Sequence, residues 1–222
     1  MMSLQHLTPD QLMATTRSVR KRLDLTKPVE MSLIEECVQL AMQAPTSSIG
    51  QNWQFLVVCD AEKKRRIAKW YRKGHELFLQ RRANAQKDRQ GPPASASADA
   101  RTQTSIAYLA DSIQDVPVLL IPCLRGRLNH PDVSSDLVYQ ATMYASIIPA
   151  AWNFMLAARA RGMGSCWTTS HLHYEREIAD ILNIPYHEVT QVALIPVAYT
   201  LGSDFKPAPA QPADAIMRVD SR

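Results

Sequence analysis

The chain has 222 residues, of which 46% are apolar and 21% charged, with a formal net charge of +4. That is enough chain to bury a sizeable core and too apolar for global disorder, and the charge is too mild to imply a nucleic-acid partner by itself. Four scattered cysteines (Cys37, Cys59, Cys123 and Cys166) with no Cys-x-x-Cys predict reduced thiols rather than a disulfide framework, and Met1–Gln11 has no apolar signal-peptide core, so a cytoplasmic protein is expected.

Thr8-Pro9-Asp10 reads as a helix start, followed by a short helix to Thr15. Arg17-Ser18-Val19-Arg20 comes next, in a segment that runs to a loop ending at Pro28. From Glu30 to Gln43, Leu33, Ile34, Cys37, Val38 and Ala41 recur at helical spacing, and Pro45 stops the helix. Phe55–Cys59 is an apolar run of strand length, expected in the centre of a sheet. Ala61–Lys87 is a long, charged helical segment, and Gln90–Ala100, rich in Pro, Ser and Ala, reads as a flexible connection.

Val116–Leu124 predicts a second strand despite Pro117 and Pro122. Ser135–Arg161 is apolar almost all round, which predicts a central buried helix, with Pro149 as a kink or contact point. Within it Thr142, Ser146, Pro149, Trp152 and Asn153 interrupt the apolar run and argue against a membrane span. Ser165–Thr169 and Gln191–Tyr199 read as further strands, with a helix near Tyr174–Leu182 between them. The tail Ser203–Arg222, with Pro207, Pro209 and Pro212, is expected to be extended and to lie on a partner subunit. The pattern is a mixed α+β fold: a central sheet, a buried helix and an outlying helical segment.

Two segments offer chemistry. Arg17 and Arg20, three residues apart, would share a face on a helical turn, and with Ser18 between them could grip a phosphate. Pro45-Thr46-Ser47-Ser48 is a turn of small hydroxylated residues that can offer N–H groups and oxygens to a polar ring. Each alone also reads as solvated surface or an ordinary turn. Residues 62–89 hold eleven Lys/Arg against three acidic residues, which suits a solvated helix face better than an anion site. His171-x-His173 lacks the further ligands of a metal site, and no Gly-rich phosphate loop or nucleophile elbow is present.

Taken in order, Arg-Ser-Val-Arg, a helix, Ala44-Pro45-Thr46-Ser47-Ser48-Ile49-Gly50-Gln51-Asn52-Trp53 and a Phe-Leu-Val-Val strand resemble the nitroreductase family of FMN-dependent flavoproteins. The resemblance resumes at Ala145-Ser146-Ile147, Asn153 and Leu156–Ser165, and ends with Ala193–Tyr199 and a Pro-rich arm. It implies one nitroreductase-like domain over residues 1–222, with a mostly antiparallel sheet flanked by helices, a long buried central helix, an extended C-terminal arm and an excursion at about 62–115. It also implies a homodimer with FMN at the interface. On this basis Arg17, Ser18 and Arg20 hold the phosphate and the ring's pyrimidine edge, while Pro45, Thr46, Ser47 and Ser48 of the other subunit lie against the flavin. The strand from Ser165 runs past the reactive face, with Thr168 or Thr169 near N5.

The implied activity is reduction of an electron-poor acceptor, such as a nitroaromatic or quinone, by NADH or NADPH in a two-step flavin exchange. No protein acid or base is named as catalytic, because the flavin carries the chemistry. Trp70, Tyr71 and Phe78 are candidates for covering the pocket. Within the same architecture a flavin-consuming enzyme of the dimethylbenzimidazole-synthase type or a reductive dehalogenase is the alternative. A basic nucleic-acid-binding protein using residues 62–89 is the alternative from another class. Three departures stand out: Thr16 where the family carries a second basic residue, Ile49 where it carries Asn, and an arm reading Pro207-Ala208-Pro209-Ala210-Gln211, which leaves Lys206 as the nearest cation.

Overall fold

Thr8 opens the first helix with a reciprocal cap: its hydroxyl accepts from the Gln11 amide and its own N–H donates to the Gln11 side chain, with Pro9 at the first helical position. This computed structural model describes residues 6–46, 50–87 and 96–219. The elements in chain order are α1 (Pro9–Thr15), α2 (Met31–Ala41), β1 (Trp53–Val58), α3 (Ala61–Lys87), α4 (Ala96–Ser112), β2 (Val118–Arg125), α5 (Leu137–Ala160), β3 (Met163–Ser165), α6 (Glu175–Leu182), β4 (Val189–Gln191), β5 (Ile195–Tyr199) and α7 (Ala213–Ile216). The α+β architecture expected from the sequence is present. Two expectations change here: helix α4 already begins at Ala96, so the stretch read as a connection to Ala100 is helical from there, and β1, expected in the centre of the sheet, is an edge strand beside β2.

The strands lie in the order β1-β2-β5-β3, with β4 also on β2, and every named pair is antiparallel. Strand β2 is buried along all but its last residue because both of its faces are covered. Its side chains alternate. Leu119, Ile121 and Cys123 join α3, the end of α4 and α6 in one core cluster, while Val118 and Leu120 join α2 and α5 in another.

Two strand expectations fail at prolines. Gln191–Tyr199 is not one strand: β4 pairs Gln191 with Cys123 and β5 pairs Ile195 with Leu120, which leaves three residues opposite two. The extra residue forms a bulge facing Pro122, which has no N–H to donate and accepts only from Val192 N. The strand expected over Ser165–Thr169 stops at Ser165. Its register continues to a bridge between Thr168 and Leu194, with Cys166 falling opposite Pro196, again a residue without a donor. The bulge therefore turns Leu194 towards Thr168, and the two exchange backbone hydrogen bonds of 2.9 and 3.1 Å.

Helix α5 is central, burying Met143, Ile147, Ala150, Ala151, Phe154, Met155 and Ala158. Its all-round apolarity has a second meaning, however. Val138, Ala141, Ala145, Ile148 and Trp152 form an exposed stripe at alternating spacings of three and four residues. Among the described residues no helix is long and apolar enough to cross a membrane.

Candidate functional site

The cationic segment does not form a helical turn. Residues 17–19 run extended beside β3, Ser18 bridging Ser165 in parallel and Val19 N donating to Ser165 O at 2.9 Å. A turn closed by Leu23 N donating to Arg20 O follows. The reason is non-local. Val19 and Leu23 are apolar and buried, and they pull the segment onto the sheet edge while Arg17, Ser18 and Lys21 stay exposed and Arg20 and Arg22 half-buried. Gly164 makes this docking possible: a Cβ there would lie 2.7 Å from Thr200 Cγ2 and 2.8 Å from Val19 Cβ.

The result is an open groove of about 400 Å³ lined by Arg17, Ser18, Arg20, Lys21, Arg22 and Lys206, with Ser105, Asp204 and Phe205. Of the residues singled out from sequence, Arg17, Ser18, Arg20 and Lys206 come together here, and they come from opposite ends of the chain. The groove fits a phosphate on chemical grounds: it carries five cations, one carboxylate and two hydroxyls. An FMN phosphate is therefore compatible with the donor set, whose five cations exceed the single carboxylate that lines the groove.

Sequence reasoning missed two features of this groove. The first is the arm anchor. Arg22 donates through Nε to Leu201 O and pairs with Asp204 at 2.6 Å, and its guanidinium lies 4.2 Å from the centre of the Phe205 ring. Arg159 lies against the same ring at 4.7 Å and donates to Ser203 O. Phe205 is thus held by two guanidiniums, and the Arg22 hydrogen bond holds the Asp204 carboxyl below the usual carboxylate range. The run Arg20-Lys21-Arg22 and the pair Asp204-Phe205 were the available signals. The second is Ser105, which brings α4 to the groove wall.

Thr168 and Thr169 separate in role. Thr168 Oγ1 donates to Leu194 O at 2.6 Å, so its proton is spent within the sheet. Thr169 is exposed and its hydroxyl makes no hydrogen bond among the described residues. Ser165 is buried as the docking point of the cationic segment. Beneath the groove lies Cys166, fully buried; burial pushes its thiol up, with Arg20 and Ser18 acting the other way. Pro45 and Thr46 follow α2 and do not line the groove of their own chain, while Ser47, Ser48 and Ile49 lie outside the described residues.

The remaining candidates are structural. Trp70 packs on Tyr174 at 5.0 Å, Tyr71 is buried, and neither these nor Phe78 lines the groove. The basic face of α3 is not uniformly solvated: Lys64 is buried and donates to Val116 O, and Arg72 donates to Gln114. His171 is fully buried with neither ring nitrogen hydrogen-bonded, and burial drives its pKa down to about 3, whereas His173 is exposed. Below the sheet, Arg127 and Glu175 form a nearly buried bidentate pair, and Glu175 also accepts from Gln191 N.

Comparison with known proteins bears on the family and the fold. The family model described as Nitroreductase family matches residues 13–199. Among solved structures, a BluB-like flavoprotein from Clostridium difficile superposes with a TM-score of 0.70 at 19% identity, over 96% of this chain and 99% of that one. An iodotyrosine deiodinase bound to FMN and 3-iodo-L-tyrosine gives 0.66 at 18% identity, over 95% and 97%. A structure from Bacteroides thetaiotaomicron described as a NADH dehydrogenase/NAD(P)H nitroreductase gives 0.62 at 18%, over 95% and 96%. At these identities the structures establish a shared fold.

Proposed function

Because this chain belongs to the nitroreductase family, we propose that it is an FMN-dependent oxidoreductase, drawing electrons from NADH or NADPH and working as a homodimer. The observation that carries the reading is the cationic groove, in which Arg17, Ser18 and Arg20 from the N-terminal segment face Lys206 from the arm. When bound, FMN supplies a ring that accepts a hydride and passes electrons on. Arg17, Arg20 and Lys206 hold the phosphate by charge-assisted hydrogen bonds, with Ser18 as a further donor. Arg22 keeps the arm in place through Asp204 and Phe205, so that Lys206 stays at the groove. The exposed Thr169 hydroxyl is the one offered to the ring, since Thr168 is committed to Leu194.

The homodimer rests on the unpartnered stripe of α5, where Val138, Ile148 and Trp152 stay 77%, 44% and 42% exposed. Its spacing of three and four suits a helix pairing with its copy. The outer edge of β1 and the exposed arm are a second pair of surfaces that a partner would cover, and the Pro45–Ser48 turn would then serve the partner's flavin.

Two acceptor chemistries fit. One is reduction of a nitroaromatic or quinone. The other is flavin fragmentation or reductive dehalogenation. It is supported by the TM-scores on the BluB-like flavoprotein and the deiodinase, 0.70 and 0.66 against 0.62 on the Bacteroides thetaiotaomicron structure. The test is the absorbance spectrum of the purified protein, followed by anaerobic titration with NADH and with NADPH. Product analysis with and without oxygen, on a nitroaromatic, a quinone and a halogenated phenol, then separates the two. Protein that neither carries nor takes up FMN would remove the reading. Salt-sensitive nucleic-acid binding by such flavin-free protein would favour the basic binding module instead.

A further inference from the structure

The cationic groove holds more charge and more room than one phosphate uses. Its volume is about 400 Å³, and Arg17, Arg20, Lys21, Arg22 and Lys206 line it. Arg22 is committed to Asp204 at 2.6 Å and to the Leu201 carbonyl, with its guanidinium over the Phe205 ring. That pair cancels the groove's one carboxylate and leaves four cations for a phosphate of about two negative charges. Arg17, Arg20 and Lys206 suffice for it, so Lys21 is left over. Its backbone is anchored, because Leu23 N donates to Arg20 O across it and Val19 and Leu23 on either side are buried. Its ammonium is exposed and in no ion pair among the described residues. Ser105 on α4 is the groove's other unassigned polar group. Thr104 and Ser112 of the same helix turn their hydroxyls back onto carbonyls four residues earlier, whereas the half-buried Ser105 hydroxyl makes no hydrogen bond among the described residues. One turn earlier on that face, the exposed Arg101 adds a further cation beside it.

We propose that Lys21 and Ser105 form a second phosphate subsite in this groove, which takes the 2′-phosphate of NADPH and makes NADPH rather than NADH the electron donor. The proposal rests on the FMN reading, because it is the FMN phosphate that occupies Arg17, Arg20 and Lys206. NADPH and NADH differ only in a phosphate monoester on the adenosine ribose, and an ammonium facing a hydroxyl is a donor set for such a group. The free ribose 2′-hydroxyl of NADH calls instead for a carboxylate acceptor, and the groove's one carboxylate is tied to Arg22. The 2′-phosphate takes no part in the chemistry: the hydride passes from the nicotinamide to the flavin, and the donor leaves as NADP+ with its phosphate intact. The subsite therefore acts on binding of the donor and spares the chemical step.

The test uses FMN-loaded wild type, Lys21→Ala and Ser105→Ala. Isothermal titration calorimetry compares adenosine 2′,5′-bisphosphate with adenosine 5′-monophosphate, which differ by the phosphate in question. Wild type is expected to bind the bisphosphate about tenfold more tightly, with most of that ratio lost in Lys21→Ala and roughly two- to threefold of it lost in Ser105→Ala. In steady-state kinetics kcat/KM should favour NADPH by a similar factor, carried by KM. That preference should fall towards one in Lys21→Ala and as salt rises, with kcat unchanged. Equal binding of the two nucleotides by FMN-loaded wild type, or a ratio that neither variant changes, would overturn the proposal and leave the FMN reading standing. Loss of FMN from Lys21→Ala would also overturn it, by placing Lys21 on the flavin phosphate. Wild type that takes up no FMN would overturn the FMN reading and the proposal together, and its absorbance before any nucleotide is added tells that failure from the others.

Discussion

Replacing Gly164 by alanine tests how the cationic segment is held on the sheet. The added Cβ would meet Thr200 Cγ2 at 2.7 Å, Val19 Cβ at 2.8 Å and Val19 Cγ1 at 2.9 Å, and real carbon atoms do not approach so closely. None of these atoms is the free end of a long side chain. Thr200 follows β5, and Val19 is buried and tied by its N–H to Ser165 O. The clash can be relieved only by strain or by moving Val19 outward. Overpacking of this kind costs about 1–3 kcal/mol. If Val19 moves, Ser18 and Arg20 move with it, so the same substitution should weaken FMN binding by roughly ten- to a hundredfold, at about 1.4 kcal/mol per tenfold. Urea denaturation of the apo-protein reads the first quantity, and quenching of FMN fluorescence on binding reads the second. Unchanged stability together with unchanged FMN affinity would refute the docking of this segment through Val19 and Gly164.

Removing the carboxylate in Glu175→Ala leaves Arg127, whose side chain is 8% exposed, without its counter-charge and Gln191 N without its acceptor. Loss of about 3–5 kcal/mol in urea denaturation is expected, much of it recovered when Arg127 is also replaced by methionine. His171 is neutral in the folded protein, with its pKa down at about 3, and protonates near 6.5 when unfolded. The unfolded state therefore binds the extra proton first. Stability should fall by about 1.4 kcal/mol per pH unit as pH drops below 6.5, and His171→Leu should remove that part of the slope in denaturation curves from pH 7 to pH 4. Asp204→Ala releases the arm from Arg22 and leaves Lys206 less firmly held at the groove, so FMN should bind roughly two- to fivefold more weakly in a fluorescence-quenching titration.

The order of the elements was legible because it is written in local signals: the cap at Thr8, the stop at Pro45, the apolar run of β2 and the length of α5. What escaped depends on residues distant in sequence. Nothing near Ser165 says that its strand will stop, because the cause is Pro196 on the neighbouring strand. The bulge at Val192–Leu194 likewise answers to Pro122. Arg17 and Arg20 share helical spacing, but Val19 finds its burial against Gly164, and that contact straightens the segment. Arg17, Ser18 and Arg20 were singled out by the resemblance and Lys206 as the cation nearest to a departure from it, and the structure brings the four to one groove. The contact of Arg22 with Asp204, 182 residues away, carries no sequence signature. Apolarity all round α5 correctly marked it as central but could not say which stripe its own chain would leave exposed.

On the proposed reading this groove binds the phosphate of a flavin mononucleotide. The most direct measurement is the dissociation constant for FMN beside that for riboflavin, which lacks the phosphate, in wild type and in Arg17→Ala. Two or three charge-assisted hydrogen bonds are worth at least about 2.7 kcal/mol together, so FMN should bind roughly a hundredfold or more tightly than riboflavin. That ratio should shrink severalfold in Arg17→Ala while riboflavin affinity stays the same. Equal affinity for the two flavins, or a ratio untouched by Arg17→Ala, would contradict the assignment.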